Sequence, residues 1–218
     1  MLVGISIVRI GAWCFVMYRS AFGPFEELDL RTPFGIIESA WLVFALYWLS
    51  ASFARKPTEK REPPLRRIVH IAFMVAAFIL LYSDAVPPQM LRERIWPDYL
   101  WIAQLGAALT VLGIAFAIWA RNHIGRNWSG QVTIKRDHQL IRTGPYAHIR
   151  HPIYSGLLLA VLGTGIAAGE YRALVAGLMI AAGFVYKAKS EEKLLAEHFG
   201  PAFDDHKRHT GFFLPKLT

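Results

Sequence analysis

The run Arg150-His151-Pro152-Ile153-Tyr154-Ser155-Gly156 places a guanidinium and an imidazole directly before a proline. A residue before proline is pushed out of the helical region, and proline suits the first position of a helix, so the run predicts a helix starting at Pro152. Its unpaired amide groups would lie beside Arg150 and His151, a cradle for a carboxylate or phosphate. A snorkelling arginine at a membrane edge would give the same pattern. Just upstream, Thr143-Gly144-Pro145-Tyr146 is a turn by its Gly-Pro pair. A second polar stretch carries Lys187, Glu191, Glu192, Leu194, Leu195 and His198 up to Gly200-Pro201, a pair that ends helices. Lys187 and Glu191 are four apart and share a face. They form either a surface ion pair of small worth or the lining of a pocket under the cradle, and spacing alone leaves both open.

The elements that must position these groups are helices in a membrane. Of the 218 residues, 54% are hydrophobic and 18% charged, against about a quarter charged in soluble domains. Apolar runs lie at 2–18, 34–54, 68–86, 99–120, 153–168 and 171–186. Several approach the twenty residues that a helix needs to cross a hydrocarbon core of about 30 Å. With no barrel-like alternation, the expectation is an all-α, polytopic transmembrane bundle of five to six segments. The last two, separated by Gly169 and Glu170, form a short helical hairpin; beyond the helices lie a cytosolic loop and a C-terminal helix. Gly106 and Gly113, like Gly156 and Gly163, are seven apart on one face and predict close helix packing. The amino terminus lacks a basic start and holds Arg9 within its apolar run, so it reads as a first spanning or anchoring helix rather than a cleavable signal. The single cysteine, Cys14, excludes a disulfide scaffold.

The net charge of +8 distributes by loop. Eighteen of the 24 basic residues lie between the second and third segments, between the fourth and fifth, or after the sixth. The alternate connections, with the end of the third segment and the start of the sixth, hold Glu26, Glu27, Asp29, Asp84, Glu93, Asp98 and Glu170 against Arg19, Arg31, Arg92, Arg94 and Arg172. Six crossings with both termini in the cytosol give this alternation. The positive charge therefore marks topology, and no separate basic surface with stacking aromatics points to nucleic acid. The chain is expected to be one integral membrane domain, with transmembrane helices over 1–120 and the chemistry concentrated in 121–218.

Taken together, Gln131 through Gly156 with its Gly-Pro-Tyr turn and RHPIYSG, then SEEKLLAEHFGPAFDDH, then TGFFLPK, resemble the isoprenylcysteine carboxyl methyltransferase family of integral membrane enzymes. The resemblance implies an enzyme that binds S-adenosylmethionine (SAM) at the cytosolic surface and methylates a lipophilic acceptor reaching it from the bilayer. Carried onto matching positions, SAM contacts fall on Gln131, His138, Gln139, Leu140, Ile141, Tyr146, His151, Pro152, Ile153, Tyr154 and Glu191. The helix start at Pro152 with His151 suits the SAM carboxylate, Glu191 the ammonium, and Tyr146 or Tyr154 the ring or the cation. Lys187 and Arg150 are the expected catalytic residues. Lys187 replaces the family's substrate-orienting arginine, keeping the charge but losing the bidentate fork that suits a carboxylate. The acceptor is therefore open among carboxylate, amine and thiol. The resemblance also implies a multi-pass protein of a bacterial inner membrane.

Other classes fit less well. A di-iron desaturase would need dense histidine clusters, whereas only His148 with His151 and His206 with His209 sit three apart, so no metal site is expected. A membrane NADPH-dependent sterol-type reductase shares the Arg-His-Pro element, but Glu191-Glu192 and the short chain favour methyl transfer. A phospholipid N-methyltransferase is a further alternative, as is a non-catalytic scaffold on the same fold.

Overall fold

The computed structural model describes residues 29–51, 58–61, 64–82, 89–125, 128, 133–135 and 140–216. The elements run α1 (Pro33–Ala51), β1 (Thr58–Arg61), α2 (Pro64–Tyr82), a 3-10 turn (Gln89–Arg92), α3 (Leu100–Ile124), β2 (Thr133–Lys135), a second 3-10 turn (Gly144–Ala147), α4 (Pro152–Ala168), α5 (Tyr171–Phe199) and α6 (Pro201–His209). Proline opens α1, α2, α4 and α6, the position where its missing N–H costs nothing. The expected first segment, 2–18, lies outside the described residues.

Among the described residues, α1, α3 and α5 are long and apolar enough to cross a membrane, while α4 is a shorter apolar helix. The protein is an integral membrane protein built on a helical bundle. The expected third segment forms α2, which starts at Pro64 rather than at the apolar run and so carries Arg66 and Arg67 in its first turns. As expected from the sequence, α5 continues past its apolar part into the polar stretch, and it stops at Gly200, φ +52°, before Pro201. Its 29 residues give a rod of about 44 Å, which raises Glu191 about 30 Å from Tyr171. That separation equals the thickness of a typical hydrocarbon core.

The α4–α5 turn is as tight as expected. Gly169 adopts φ +67° and its N–H donates to Gly165 O at 2.9 Å. The preceding chain braces this turn: Ile95 N donates to Gly169 O at 2.7 Å, Tyr171 N to Glu93 O at 3.3 Å, and Trp96 Nε1 to Ile166 O at 3.2 Å. On the opposite side, β1 and β2 form an antiparallel ribbon joining the two basic loops, with Arg61 opposite Thr133 and a bulge between Thr58 and Lys60. Helical periodicity gave no sign of this small addition.

The four glycines pack as the sequence predicts. A Cβ on Gly113 would lie 2.5 Å from Gly156 O, and one on Gly163 would lie 2.5 Å from Gly106 O. Antiparallel α3 and α4 therefore touch backbone to backbone. Between the glycine pairs, fully buried Thr110 donates to Gly106 O at 2.9 Å and lies 3.2 Å from Thr164 Oγ1, which accepts from Trp41 Nε1 at 3.0 Å. That network ties α1 to the pair. Gly113→Leu is expected to destabilise the protein by about 3 kcal/mol, read as a lowered melting temperature in detergent. Gly177→Ala, whose Cβ would lie 3.8 Å from Val161 Cγ1, is the tolerated control.

Candidate functional site

The site lies where α3 ends, α4 begins and α5 leaves its apolar part. Gly144, at φ +57°, lets the Gly-Pro-Tyr turn press against the His123 ring, and His123 Nε2 lies 2.8 Å from Thr143 Oγ1. The turn buries Tyr146 with Ala120 and Ile153, walled by Trp48, Trp128, Ile141, Tyr154 and Leu157. Burial pushes the Tyr146 phenol far above its ordinary range; Glu191 adds to the shift and Arg121 opposes it. Tyr146 is therefore a neutral ring with a proton to donate.

Arg121, also buried, links two helix ends by donating to Gly125 O at 2.8 Å and Ala51 O at 3.1 Å while its guanidinium lies 4.4 Å from the Trp128 ring centroid. Cations at helix C-termini offset the free carbonyls there. By this contact α1 brings Trp48 against Trp128, with ring centroids 5.0 Å apart.

His151 precedes α4 with φ −123° and ψ 57°, outside the helical region that a following proline disfavours. Its Nε2 lies 3.2 Å from Glu192 Oε1 and its Nδ1 lies 3.7 Å from Glu191 Oε2. The ring stacks on Tyr154 at 5.7 Å and meets the edge of Phe212 at 5.0 Å. Tyr154 O–H donates to Glu191 Oε1 at 2.7 Å, and its ring stacks on Phe184 at 5.0 Å. Lys187 Nζ lies 5.6 Å from the same ring. Phe184, Lys187 and Glu191 occupy one face of α5 by their three- and four-residue spacing, the face that meets Tyr154.

Arg150 pairs with α5 and with the end of α6. Its Nε donates to Glu192 Oε1 at 2.6 Å and its Nη1 to Lys207 O at 3.3 Å and to Thr210 O. The tail runs beside it: Arg150 N donates to Gly211 O at 2.9 Å, His151 N to Phe212 O at 3.2 Å, and Ser155 Oγ to Phe213 O at 2.6 Å. Residues 210–213 thus strap the start of α4. Arg142 adds a second tie, its Nη1 lying 3.0 Å from Asp205 Oδ2 on α6.

Of the residues expected to line the site, the structure brings together Tyr146, His151, Pro152, Ile153, Tyr154, Lys187 and Glu191, with Ile141 in the wall around Tyr146 and Leu140 half-buried beside it. Gln131, His138 and Gln139 lie outside the described residues. Sequence reasoning missed the placement of Glu192, which is 8% exposed, and it missed Arg121 and the Phe212-Phe213 strap. The adjacent Glu191-Glu192 pair was the available signal for the first. Among the described residues, no group of three or more His, Cys, Asp or Glu could hold a metal ion.

Residues 106–197 match the isoprenylcysteine carboxyl methyltransferase (ICMT) family. The nickel-cobalt-cadmium resistance protein NccN of Alcaligenes xylosoxydans xylosoxydans is 34% identical over 126 residues, 56% of this chain and 55% of that protein. The protein-S-isoprenylcysteine O-methyltransferase of Schizosaccharomyces pombe is 31% identical over 96 residues, 43% of this chain and 41% of that enzyme. The chain spans about half the length of the curated relatives it matches. The solved structure of a eukaryotic intramembrane Ras methyltransferase, ICMT, superposes with a TM-score of 0.58 at 19% identity, covering 99% of this chain and 87% of that one. That likeness establishes a shared fold. The Gly-Pro-Tyr turn, the Arg150-His151-Pro152 element and Glu191-Glu192 all lie inside the segment, residues 106–197, that is similar to the isoprenylcysteine carboxyl methyltransferase family.

Proposed function

We propose that the protein is a SAM-dependent methyltransferase acting on a lipophilic acceptor that reaches the site from the bilayer. The observation that carries this reading is the meeting of Glu191, His151 and Tyr154 at the membrane boundary. Glu191 Oε2 and His151 Nδ1 face each other across 3.7 Å, beside a stack of aromatic rings. Two acceptors at that separation suit an ammonium, and the rings suit a sulfonium or an adenine. Gln131, His138, Gln139, Leu140 and Ile141 would complete the binding loop, and the start of α4 at Pro152 and Ile153 would take the carboxylate.

When bound, SAM supplies a methyl group activated by its sulfonium. The chain's own residues then have three tasks. Glu191 and His151 fix the amino-acid end. Trp48, Trp128, Ile141 and Tyr146 exclude water. Lys187, a compact charge with three rotatable donors, orients an anionic acceptor group beside Tyr154. A carboxylate acceptor is already ionised and needs no base, so positioning and desolvation supply the rate. An amine acceptor would give up its proton to Glu191 or His151. The relatives named protein-S-isoprenylcysteine O-methyltransferase support a lipidated acceptor. The loop charges support a bacterial inner membrane with the site and both termini on the cytosolic side.

The test is incorporation of labelled methyl from SAM into membrane lipids and prenylated thiols by the purified protein. A labelled lipophilic product is expected, and no labelled product from protein that binds SAM would contradict the assignment. Lys187→Ala is expected to lower transfer about 100-fold by misplacing the acceptor while SAM affinity stays close to the unmodified value. Equal loss of both would place Lys187 on the cofactor instead.

A further inference from the structure

We propose that Glu192 is the positioning residue of the site, fixing which nitrogen of His151 carries the proton and leaving the other free toward Glu191. The inference rests on the reading that Glu191 and His151 receive the cofactor's ammonium. Glu192 does not line that acceptor pair. Its carboxyl is buried at the end of the apolar part of α5, where an unpaired charge would be costly.

Arg150 supplies the pairing charge through Nε at 2.6 Å. An arginine stays protonated in proteins, so its partner here is a carboxylate, an acceptor without a proton to give. The same oxygen, Glu192 Oε1, lies 3.2 Å from His151 Nε2. A carboxylate oxygen at that distance requires the hydrogen on Nε2. The other oxygen, Oε2, lies 3.6 Å from Lys207 Nζ.

The remaining nitrogen, Nδ1, is 3.7 Å from Glu191 Oε2, beyond hydrogen-bond length. In the proposed tautomer it presents its lone pair toward Glu191, whose other oxygen accepts from Tyr154 O–H. Stacking on Tyr154 and edge contacts with Phe212 and Phe213 hold the ring plane. The groups facing the imidazole are Glu191 and Glu192 from α5, Tyr154 from α4, and Phe212 and Phe213 from the tail. The result is two acceptors aimed at one gap, the arrangement that an N–H-rich cation needs. A histidine whose second nitrogen is fixed by a carboxylate behaves in the same way when it binds a metal.

The experiment is NMR of the full-length protein in detergent with isotope-labelled histidine, the His151 signals being assigned by their loss in His151→Gln. A protonated Nε2 and an unprotonated Nδ1 are expected. In Glu192→Gln the preference is expected to relax into a mixture of tautomers, and the Kd for SAM to rise about tenfold. A doubly protonated ring or the reverse tautomer in the unmodified protein would overturn the proposal, as would an unchanged pattern in Glu192→Gln. If Glu192→Gln fails to fold, the unmodified protein's pattern decides alone. Failure of the unmodified protein to bind SAM would defeat the functional reading instead, and the nitrogen pattern would still test Glu192.

Discussion

Replacing Glu191 by alanine is expected to abolish measurable SAM binding while the protein stays folded and monodisperse. The carboxylate is the anionic member of the acceptor pair, and its side chain is only 22% exposed. Removing one partner of a buried, hydrogen-bonded charge pair costs about 2–5 kcal/mol of binding, a loss of roughly 30-fold to several thousand-fold in affinity. The fold should tolerate the change, because Glu191 contacts Tyr154 and His151 but does not hold the tail. Glu191→Gln separates charge from shape: it keeps an acceptor for the Tyr154 hydroxyl and loses the anion. Calorimetric titration of both variants should show binding lost in each, and retained affinity would mean that the ammonium is held elsewhere. His151→Ala should lose binding too, since it removes the second acceptor and the ring stacked on Tyr154.

Arg150→Ala is expected to give the largest loss of stability among single changes at the site. Arg150 and Glu192 form an ion pair in which both side chains are 10% exposed. Breaking such a pair by removing one partner costs about 3–5 kcal/mol, because the other charge is left buried. The cost is compounded here, since the same guanidinium satisfies the carbonyls of Lys207 and Thr210 at the end of α6. Without it, the strap over the start of α4 loses its charged anchor and keeps the backbone bonds at Gly211 and Phe212 and the Ser155 Oγ bond to Phe213 O. Melting in detergent should fall sharply for Arg150→Ala and less for Arg150→Lys, which keeps a charge but not the fork. Unchanged melting in both would show that the backbone bonds and Ser155 carry the strap.

Local pattern and long-range placement separated cleanly in this chain. The apolar runs from 34 onward, the Gly169 turn, the continuation of α5 and the glycine pairs follow from hydropathy, spacing and backbone preference, and they stand as helices, turn and contacts among the described residues. The break before α4 at His151 likewise follows from one proline. What spacing could not show was which of two adjacent glutamates faces which partner. Consecutive helical residues differ by about 100° around the axis, so Glu191 and Glu192 point to different neighbours, and only packing against α4 and the tail assigns them. The partners of the arginine in the Arg-His-Pro run lie 42 and 60 residues further along, beyond any short-range motif. Trp48 and Arg121 reach the site through the meeting of α1 and α3, a contact that no short-range motif encodes.

The account stands most directly on cofactor choice. Titration of the purified protein in detergent with SAM and, separately, with NADPH should show saturable binding of SAM and none of NADPH. Binding of NADPH without SAM would contradict it.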